Sequence, residues 1–407
     1  MKRKNTYRSY FTALALGIFI FLGAGVILNC YADPFMYLRA HKIDETINHN
    51  PLFREQIRIS KANQLALTQP CALILGSSRT EYGLNPAHDG FACKAVYNAA
   101  IPSPNMYEIY RYFQHALAVK KPQQVVLPLD FFVFDLSGNE NSPDFIEEIF
   151  AVDPQGRPQN RYGFDFMKKM TSADVLGWSL KRLLNPDADG PYRHNGFRDV
   201  SYKARAFYET DKETHRDAFE GSEMSFYKLF ADGFDTRQNG IDTLEIYNRL
   251  LELAYENDVD LRLLISPSHA RMYETIAVAG LYERWEDWKR EIVSMNEKAA
   301  KKYDKTPYVI LDFSGYSKYT TEKLPRGSAE SKPMTWWWES SHYKSNLGDM
   351  VLERALLNKD VAGFGVRLDN HNMEQHLKNI RLGRERWRRD NPQDVAYIEA
   401  LKNITVK

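Results

Sequence analysis

The longest apolar stretch of the chain lies close to its start. An uncharged run over residues 9–32 follows a short basic segment, residues 1–8, which carries four Lys or Arg and no acidic residue. A helix of this length is about 36 Å long, which exceeds the roughly 30 Å of a bilayer core. The basic flank predicts a cytoplasmic N-terminus, a single-pass anchor in an inner or cytoplasmic membrane, and a periplasmic or otherwise extracytoplasmic remainder. The alternative is a cleaved signal peptide, for which residues 30–32 offer a cleavage site.

The rest of the chain alternates short apolar runs with amphipathic segments. Five runs have the length of a buried strand: 72–75, 95–97, 125–129, 261–265 and 308–311. Between them apolar residues recur with helical spacing, as Ile246 and Leu250 do. The alternation predicts an α/β fold with a doubly wound, five-stranded parallel sheet. Because such sheets bind ligands beyond the carboxyl ends of their strands, the turns after these runs are where chemistry is expected.

This alternation is interrupted over residues 137–239, a stretch rich in Pro, Asp, Gly and Arg. We interpret it as an inserted, mostly helical cap with its best helix at 173–184, and a decoration without a role at the site is the alternative. The predicted organisation is a cytoplasmic basic segment (1–8), an anchor (9–32), a connecting helical segment (33–66), an α/β domain (67–136 and 240–365), the cap and a polar helical tail (366–407). Five arginines between Arg381 and Arg389 are typical of a solvated helix face.

The composition excludes several classes of protein. With 54 Lys and Arg against 53 Asp and Glu, the net charge is +1, and no nucleic-acid partner is expected. Three cysteines exclude a disulfide-stapled scaffold and a four-cysteine zinc site. The chain contains no His-Glu-x-x-His, no P-loop and no Gly-x-Gly-x-x-Gly motif, so no metal and no cofactor are expected.

Two of the cysteines stand near the starts of the first two predicted strands. Cys71 precedes Gly76 by five residues, and Cys93 precedes Asn98 by five. If Gly76 and Asn98 end neighbouring strands at the same level, the cysteines lie about 4.8 Å apart, inside the range of roughly 4.4–6.8 Å for a disulfide. An oxidising compartment would preserve the bond. Two buried free thiols are the alternative.

Two turns carry the groups needed for serine chemistry. The first predicted strand is followed by Gly76-Ser77-Ser78-Arg79, and a strand-to-helix turn of this kind can expose a nucleophilic serine. A simple capping turn is the alternative. Near the other end of the chain, Glu339 stands three residues before His342. A carboxylate at this spacing can turn back and orient the imidazole while it deprotonates a serine.

Taken together, the Gly-x-Ser turn at Ser78 and the acid-x-x-His motif of Glu339 and His342 resemble the SGNH/GDSL hydrolase superfamily over about residues 71–357. The resemblance implies a five-stranded α/β fold with Ser78 as nucleophile, His342 as base and Glu339 as the acid that orients it. It implies an oxyanion site that we place at the Ser78 and Ala99 N–H groups and the Asn98 side chain. In the family, a glycine after the second strand and an asparagine in a Gly-x-Asn-Asp motif supply oxyanion donors. Here the matching residues 97–100 contain no glycine, and residues 128–131 contain no asparagine.

A single N-terminal membrane segment with this arrangement resembles the anchored, extracytoplasmic branch. Its members include acyl-transfer proteins of teichoic-acid D-alanylation and exopolysaccharide O-acetyltransferase-like proteins. The resemblance implies acyl transfer or ester hydrolysis on a cell-envelope glycopolymer, with the membrane, the glycopolymer or an acyl donor, and a membrane-bound acyltransferase as partners. The rival is a non-catalytic scaffold or binding subunit of an envelope polysaccharide machine. Three further residues are candidate substrate contacts: Arg79, His269 and Trp338.

Overall fold

The structure is a computed structural model that describes residues 2–38, 47–48, 56–137, 141–142, 144–160, 163–184, 192–198, 200, 214–325 and 332–403. Its helices in these ranges are α1 (Lys2–Ala32), α2 (Ile57–Thr68), α3 (Ser78–Gly83), α4 (Met106–Val119), α5 (Phe164–Met170), α6 (Ala173–Leu184), α7 (His215–Phe230), α8 (Thr243–Glu256), α9 (Ala270–Val278), α10 (Tyr282–Lys302), α11 (Ser345–Leu357), α12 (Met373–Asp390) and α13 (Pro392–Ala400). Its strands are β1 (Ile47–Asn48), β2 (Ala72–Ile74), β3 (Val96–Asn98), β4 (Gln124–Leu129), β5 (Tyr192–Arg193), β6 (Arg237–Gln238), β7 (Ile241–Asp242), β8 (Asp260–Ile265), β9 (Ile310–Asp312) and β10 (Val366–Leu368).

The fold is mixed α/β around a mostly parallel central sheet of strand order β10-β9-β8-β4-β2-β3. The five predicted strands are β2, β3, β4, β8 and β9, and every pairing among these five is parallel. The expectation of five strands is wrong by one, because β10 adds an antiparallel edge to β9. Two of its three residues are exposed and one is charged, so β10 has no apolar run to reveal it. The tail predicted as wholly helical therefore begins with a strand.

Both faces of the sheet are covered. Alternate residues of β4 and β8, such as Leu127 and Leu263, join the core that contains α4, α8 and α10 side chains. Their neighbours Val126 and Leu264 belong to a second core that includes α11 side chains. This double burial explains why these strands have nearly continuous apolar sequences.

The structure joins Cys71 and Cys93 in the predicted disulfide, with Cα atoms 6.4 Å apart. The register behind the prediction is wrong by two residues, because Asn98 lies opposite Ile74 and not opposite Gly76. Cys71 donates its backbone N–H to Ala95 O. Cys93 thus reaches Cys71 from the bend before β3.

Among the described residues, one segment, Tyr7–Ala32 of α1, is long and apolar enough to cross a membrane. A signal sequence near the N-terminus has the same character, so the structure leaves both sequence-based alternatives open. The helix predicted at 173–184 is confirmed as α6 with the same bounds. Helices α5 and α6 lie near the end of α1, where Asn29 bonds to Met170 and Ser179.

The arginine run of α12 is not simply a solvated face. Arg381 pairs with Glu286, and both Arg384 and Arg388 pair with Glu274. Glu274 and Glu286 are buried carboxylates of α9 and α10. The arginines therefore dock the tail on the α/β domain, which charge spacing along α12 cannot reveal.

Candidate active site

The turn after β2 is built to present the first residue of a helix. Gly76 has φ of +137°, and a Cβ at this position would lie 2.5 Å from Thr80 Oγ1, so only glycine fits. The side chain of Ser77 caps α3 by accepting the N–H of Arg79 at 3.2 Å. Ser78 is therefore the first helical residue, directly beyond the carboxyl end of a central strand.

The acid-x-x-His segment forms a tight loop before α11. An isolated bridge joins Trp337 and Tyr343, and Trp338 N–H donates to His342 O at 3.0 Å. Inside the loop the Glu339 carboxylate accepts the backbone N–H groups of Ser341 and His342 at 2.7 and 2.8 Å. These bonds fold the carboxylate back toward the ring that follows it.

The two turns meet at Ser78 and His342. His342 Nε2 lies 2.8 Å from Ser78 Oγ, and His342 Nδ1 contacts Glu339 Oε1. With Nδ1–H donating to the carboxylate, Nε2 is left to accept the serine proton. The rings of Tyr82 and His342 form a T-shaped pair with their centroids 4.7 Å apart. Glu339 is buried, whereas Ser78 and His342 are partly open to solvent, so a substrate can approach the serine.

Two of the three predicted oxyanion donors are not available. The N–H of Ala99 donates to Ile74 O at 2.8 Å. The side-chain amide of Asn98 donates to Thr80 O and Leu84 O, at 3.1 and 3.0 Å. The geometry therefore does not support the predicted oxyanion roles of Asn98 and Ala99, because both donors hold the β3 turn against its neighbours. The Ser78 N–H remains, at a helix position that has no intrahelical acceptor.

The structure places Arg79, predicted as a substrate contact, in an internal network of hydrogen bonds and an ion pair. Its guanidinium is buried, donates to Ser341 O at 3.1 Å and to Ser268 Oγ at 2.6 Å, and pairs with Asp130. The same carboxylate accepts Ser77 Oγ–H at 2.5 Å. Arg79 and Asp130 thus join the turn of Ser78, the ends of β4 and β8, and the loop of His342. Asp130 was missed as a site-supporting residue, although its place directly after a central strand was a signal.

The structure buries His269 and Trp338, which does not favour the substrate roles predicted for them. His269 is buried at the start of α9, where Nδ1 accepts the N–H of Arg271 at 3.3 Å and Nε2 donates to Glu322 O at 2.7 Å. Burial outweighs the bond to Glu322 and lowers the pKa of His269 to about 4, so the ring is neutral. The Trp338 ring is buried against Tyr82 and is not an open sugar platform.

Helix α7 of the inserted stretch supports the loop that carries the acid and the histidine. His215 Nδ1 donates to Trp338 O at 3.2 Å, and His215 Nε2 accepts the N–H of Met334 at the same distance. Ser222 and Ser340 are in hydrogen-bond contact at 3.2 Å. These contacts favour a cap that helps to build the site over a decoration. Sequence reasoning missed His215, because nothing near it in the chain marks the loop it supports.

A buried ion pair connects α3, the helix that begins at Ser78, to α2. Lys61 Nζ of α2 lies 2.8 Å from Glu81 of α3, and both side chains are fully buried. Burial outweighs the attraction of Glu81 and lowers the pKa of Lys61. Lys61 also donates to Ala100 O, after β3. This pair fixes α3 relative to the β3 turn, and no local sequence pattern marked it.

Comparisons of the chain with protein-family models, with curated proteins and with solved structures gave no match.

Proposed function

We propose that this protein is an SGNH-like serine acyltransferase or esterase that acts on a cell-envelope glycopolymer. The observation that carries the proposal is the continuous chain from Ser78 Oγ through His342 to Glu339. Ser78 and His342 are 264 residues apart in the sequence, and the fold brings them together. A nucleophile, a base and an orienting acid within hydrogen-bond reach form the arrangement that activates a serine.

In the proposed reaction, Ser78 Oγ attacks the acyl carbonyl while its proton passes to His342 Nε2. Glu339 stabilises the resulting imidazolium through Nδ1. The tetrahedral intermediate collapses to an acyl-Ser78 ester as His342 returns the proton to the departing oxygen. A sugar hydroxyl or a water, deprotonated by His342, then attacks the ester and releases Ser78. The backbone N–H of Ser78 stabilises the oxyanion in both steps.

The apolar helix α1 and the disulfide support an extracytoplasmic location for the proposed reaction. An apolar N-terminal span with a basic flank favours a cytoplasmic N-terminus and an extracytoplasmic catalytic domain. A Cys71–Cys93 bond is stable in such an oxidising compartment. The envelope glycopolymer, the acyl donor and a membrane-bound acyltransferase partner enter the proposal through the sequence resemblance.

One observation favours the rival, a non-catalytic scaffold or binding subunit of an envelope polysaccharide machine. The N–H groups of Asn98 and Ala99 are used within the fold. Loss of a single oxyanion donor costs an acyl-transfer enzyme about 10²–10³ in kcat. A chain that keeps the triad and lacks these donors could retain the fold for binding alone.

Ester hydrolysis by the full chain in detergent distinguishes the two functions. The proposal predicts p-nitrophenyl acetate hydrolysis that is lost in Ser78→Ala and retained in Ser345→Ala. Ser345 is a matched control because it is also partly buried at the first position of a helix, α11, and has no place in the triad. Equal rates in wild type and Ser78→Ala would favour the scaffold, and acetyl transfer to envelope polysaccharide would identify the acceptor class.

A further inference from the structure

We propose that α5 and α6 lie in the lipid–water interface beside α1, so that this chain contacts the membrane through a second, non-spanning element. The proposal rests on α1 as a membrane span and is independent of the chemistry at Ser78. Three observations support it. They are a buried polar contact between α1 and α6, an exposed apolar stripe on α6 next to that contact, and basic residues on α5 and α6 that border the stripe.

The polar contact involves Asn29, which lies near the outer end of the apolar run of α1 and is 1% exposed. Its amide nitrogen donates to Met170 O at 2.9 Å and to Ser172 O at 3.4 Å. Its amide oxygen accepts Ser179 Oγ–H at 2.8 Å. A polar side chain at the edge of a bilayer needs partners from the protein, because hydrocarbon supplies none. The α5–α6 pair supplies them, which places it at the depth of Asn29.

The apolar stripe is on the side of α6 that the fold leaves open. Leu180 is 45% exposed and Leu184 is 77% exposed, and Met167 of α5 is also exposed. Ala173 and Gly177 continue the same helical face. Gly25 of α1 approaches Leu176, so the stripe lies next to the span. Exposure of these two leucine side chains to water is unfavourable, whereas their burial among the acyl chains around α1 would be favourable.

Basic residues border the stripe. Residues 164–184 contain four Lys or Arg and two Asp, a net charge of 4 − 2 = +2. Lys168 and Lys181 are exposed, and the Lys181 ammonium lies over the Trp178 ring at 5.1 Å. Arg182 donates to Asp33 O, which ties α6 to the end of α1. Long basic side chains can reach headgroup phosphates while their helix stays in the acyl boundary. The partner is therefore an anionic lipid surface.

Continuity with α1 favours lipid over a protein partner. In the most apolar 18-residue window of Tyr7–Ala32, no residue is buried inside the fold. Ile27, 70% exposed, lies on the same helix as Asn29 and within a turn of it. A bilayer that covers Ile27 therefore reaches the α6 surface beside Asn29, and no second partner is needed.

The experiment places a fluorescent label on α6 of the full chain in vesicles. In a Cys30→Ala background, the disulfide leaves no reactive thiol, and NBD is attached at Leu180→Cys. Leu382→Cys is the matched control, because Leu382 is 46% exposed on α12, outside the α1 contact. Phe21→Cys reports on the span itself. The vesicles contain phosphatidylethanolamine and phosphatidylglycerol, without nitroxide or with phosphatidylcholine that carries the nitroxide at a shallow or a deep position.

We expect NBD at position 180 to emit at shorter wavelength than NBD at position 382 and to be quenched by the shallow nitroxide lipid. NBD at position 21, near the middle of the span, should be quenched by the deep nitroxide lipid. Emission at position 180 equal to that at position 382, without quenching, would overturn the proposal. A shielded label that lipid does not quench would show that protein covers this face, and would overturn it as well. Absence of quenching at position 21 would instead refute the membrane span on which the proposal rests.

Discussion

Replacing Asp130 with alanine tests whether the buried pair with Arg79 organises the site. The Asp130 side chain is fully buried and that of Arg79 is 6% exposed. Without the carboxylate, the guanidinium keeps acceptors at Ser341 and Ser268 but loses its counter-charge, and Ser77 loses an acceptor. Leaving a buried charge unpaired costs about 3–5 kcal/mol, and the lost hydrogen bond from Ser77 to a charged acceptor adds about 1.5–3 kcal/mol.

The assay is thermal unfolding of the detergent-solubilised chain. At about 2.1 cal/mol/K of unfolding entropy per residue, a chain of this length shifts by roughly 1–1.5 °C per kcal/mol, so Asp130→Ala should melt roughly 5–12 °C lower. The double variant Arg79→Met with Asp130→Ala removes the stranded charge and should recover part of the loss. Asp89→Ala is the control, because Asp89 pairs with Lys94 on the open surface. A melting temperature for Asp130→Ala within 1 °C of the control would refute this account of the pair.

Three further predictions follow from individual groups. Glu339→Gln should keep the fold and slow ester hydrolysis by roughly 10³–10⁴, because the amide no longer stabilises the imidazolium; rates within tenfold of wild type would contradict this. The Cys71→Ser, Cys93→Ser double variant should lose about 3 kcal/mol of unfolding free energy, because it opens a loop with a sequence separation of 22; unchanged denaturant midpoints under non-reducing conditions would argue against it. His269, with its folded pKa near 4 and its unfolded pKa near 6.5, adds stability that is present above pH 6.5 and lost as the pH falls through 4; melting temperatures between pH 4 and 7 should vary less in His269→Gln, and identical pH slopes would refute the assignment.

The central strands could be predicted because both of their faces are buried. Residues such as Val126 and Leu263 must be apolar whichever way they point, and this leaves a visible run in the sequence. β10 has no such run, since Val366 and Arg367 are exposed at the sheet edge. The register of β2 and β3 also escaped prediction, because three-residue strands leave their alignment to turns and long-range contacts.

The proposed triad could be predicted because its groups come from short motifs whose chemistry is known. The surroundings could not, since they depend on which hydrogen bonds the fold completes. Asn98 is a plausible oxyanion donor from its place in the sequence, but its side-chain amide donates to the carbonyl oxygens of Thr80 and Leu84. Arg79 beside a nucleophile looks like a substrate contact but is used by Asp130 and Ser341. The Arg79 outcome depends on residues that lie 51 and 262 positions away along the chain, and the Asn98 outcome depends on how the β3 turn packs against α3.

The most direct test of the central claim is to locate a covalent adduct after the full chain reacts with a fluorophosphonate probe. The account predicts that mass spectrometry of the digested protein finds the phosphonyl group on Ser78, and that Glu339→Gln reacts more slowly while Ser345→Ala reacts at the wild-type rate. A folded wild-type chain that carries no adduct at Ser78, or whose adduct lies on another serine, would contradict it.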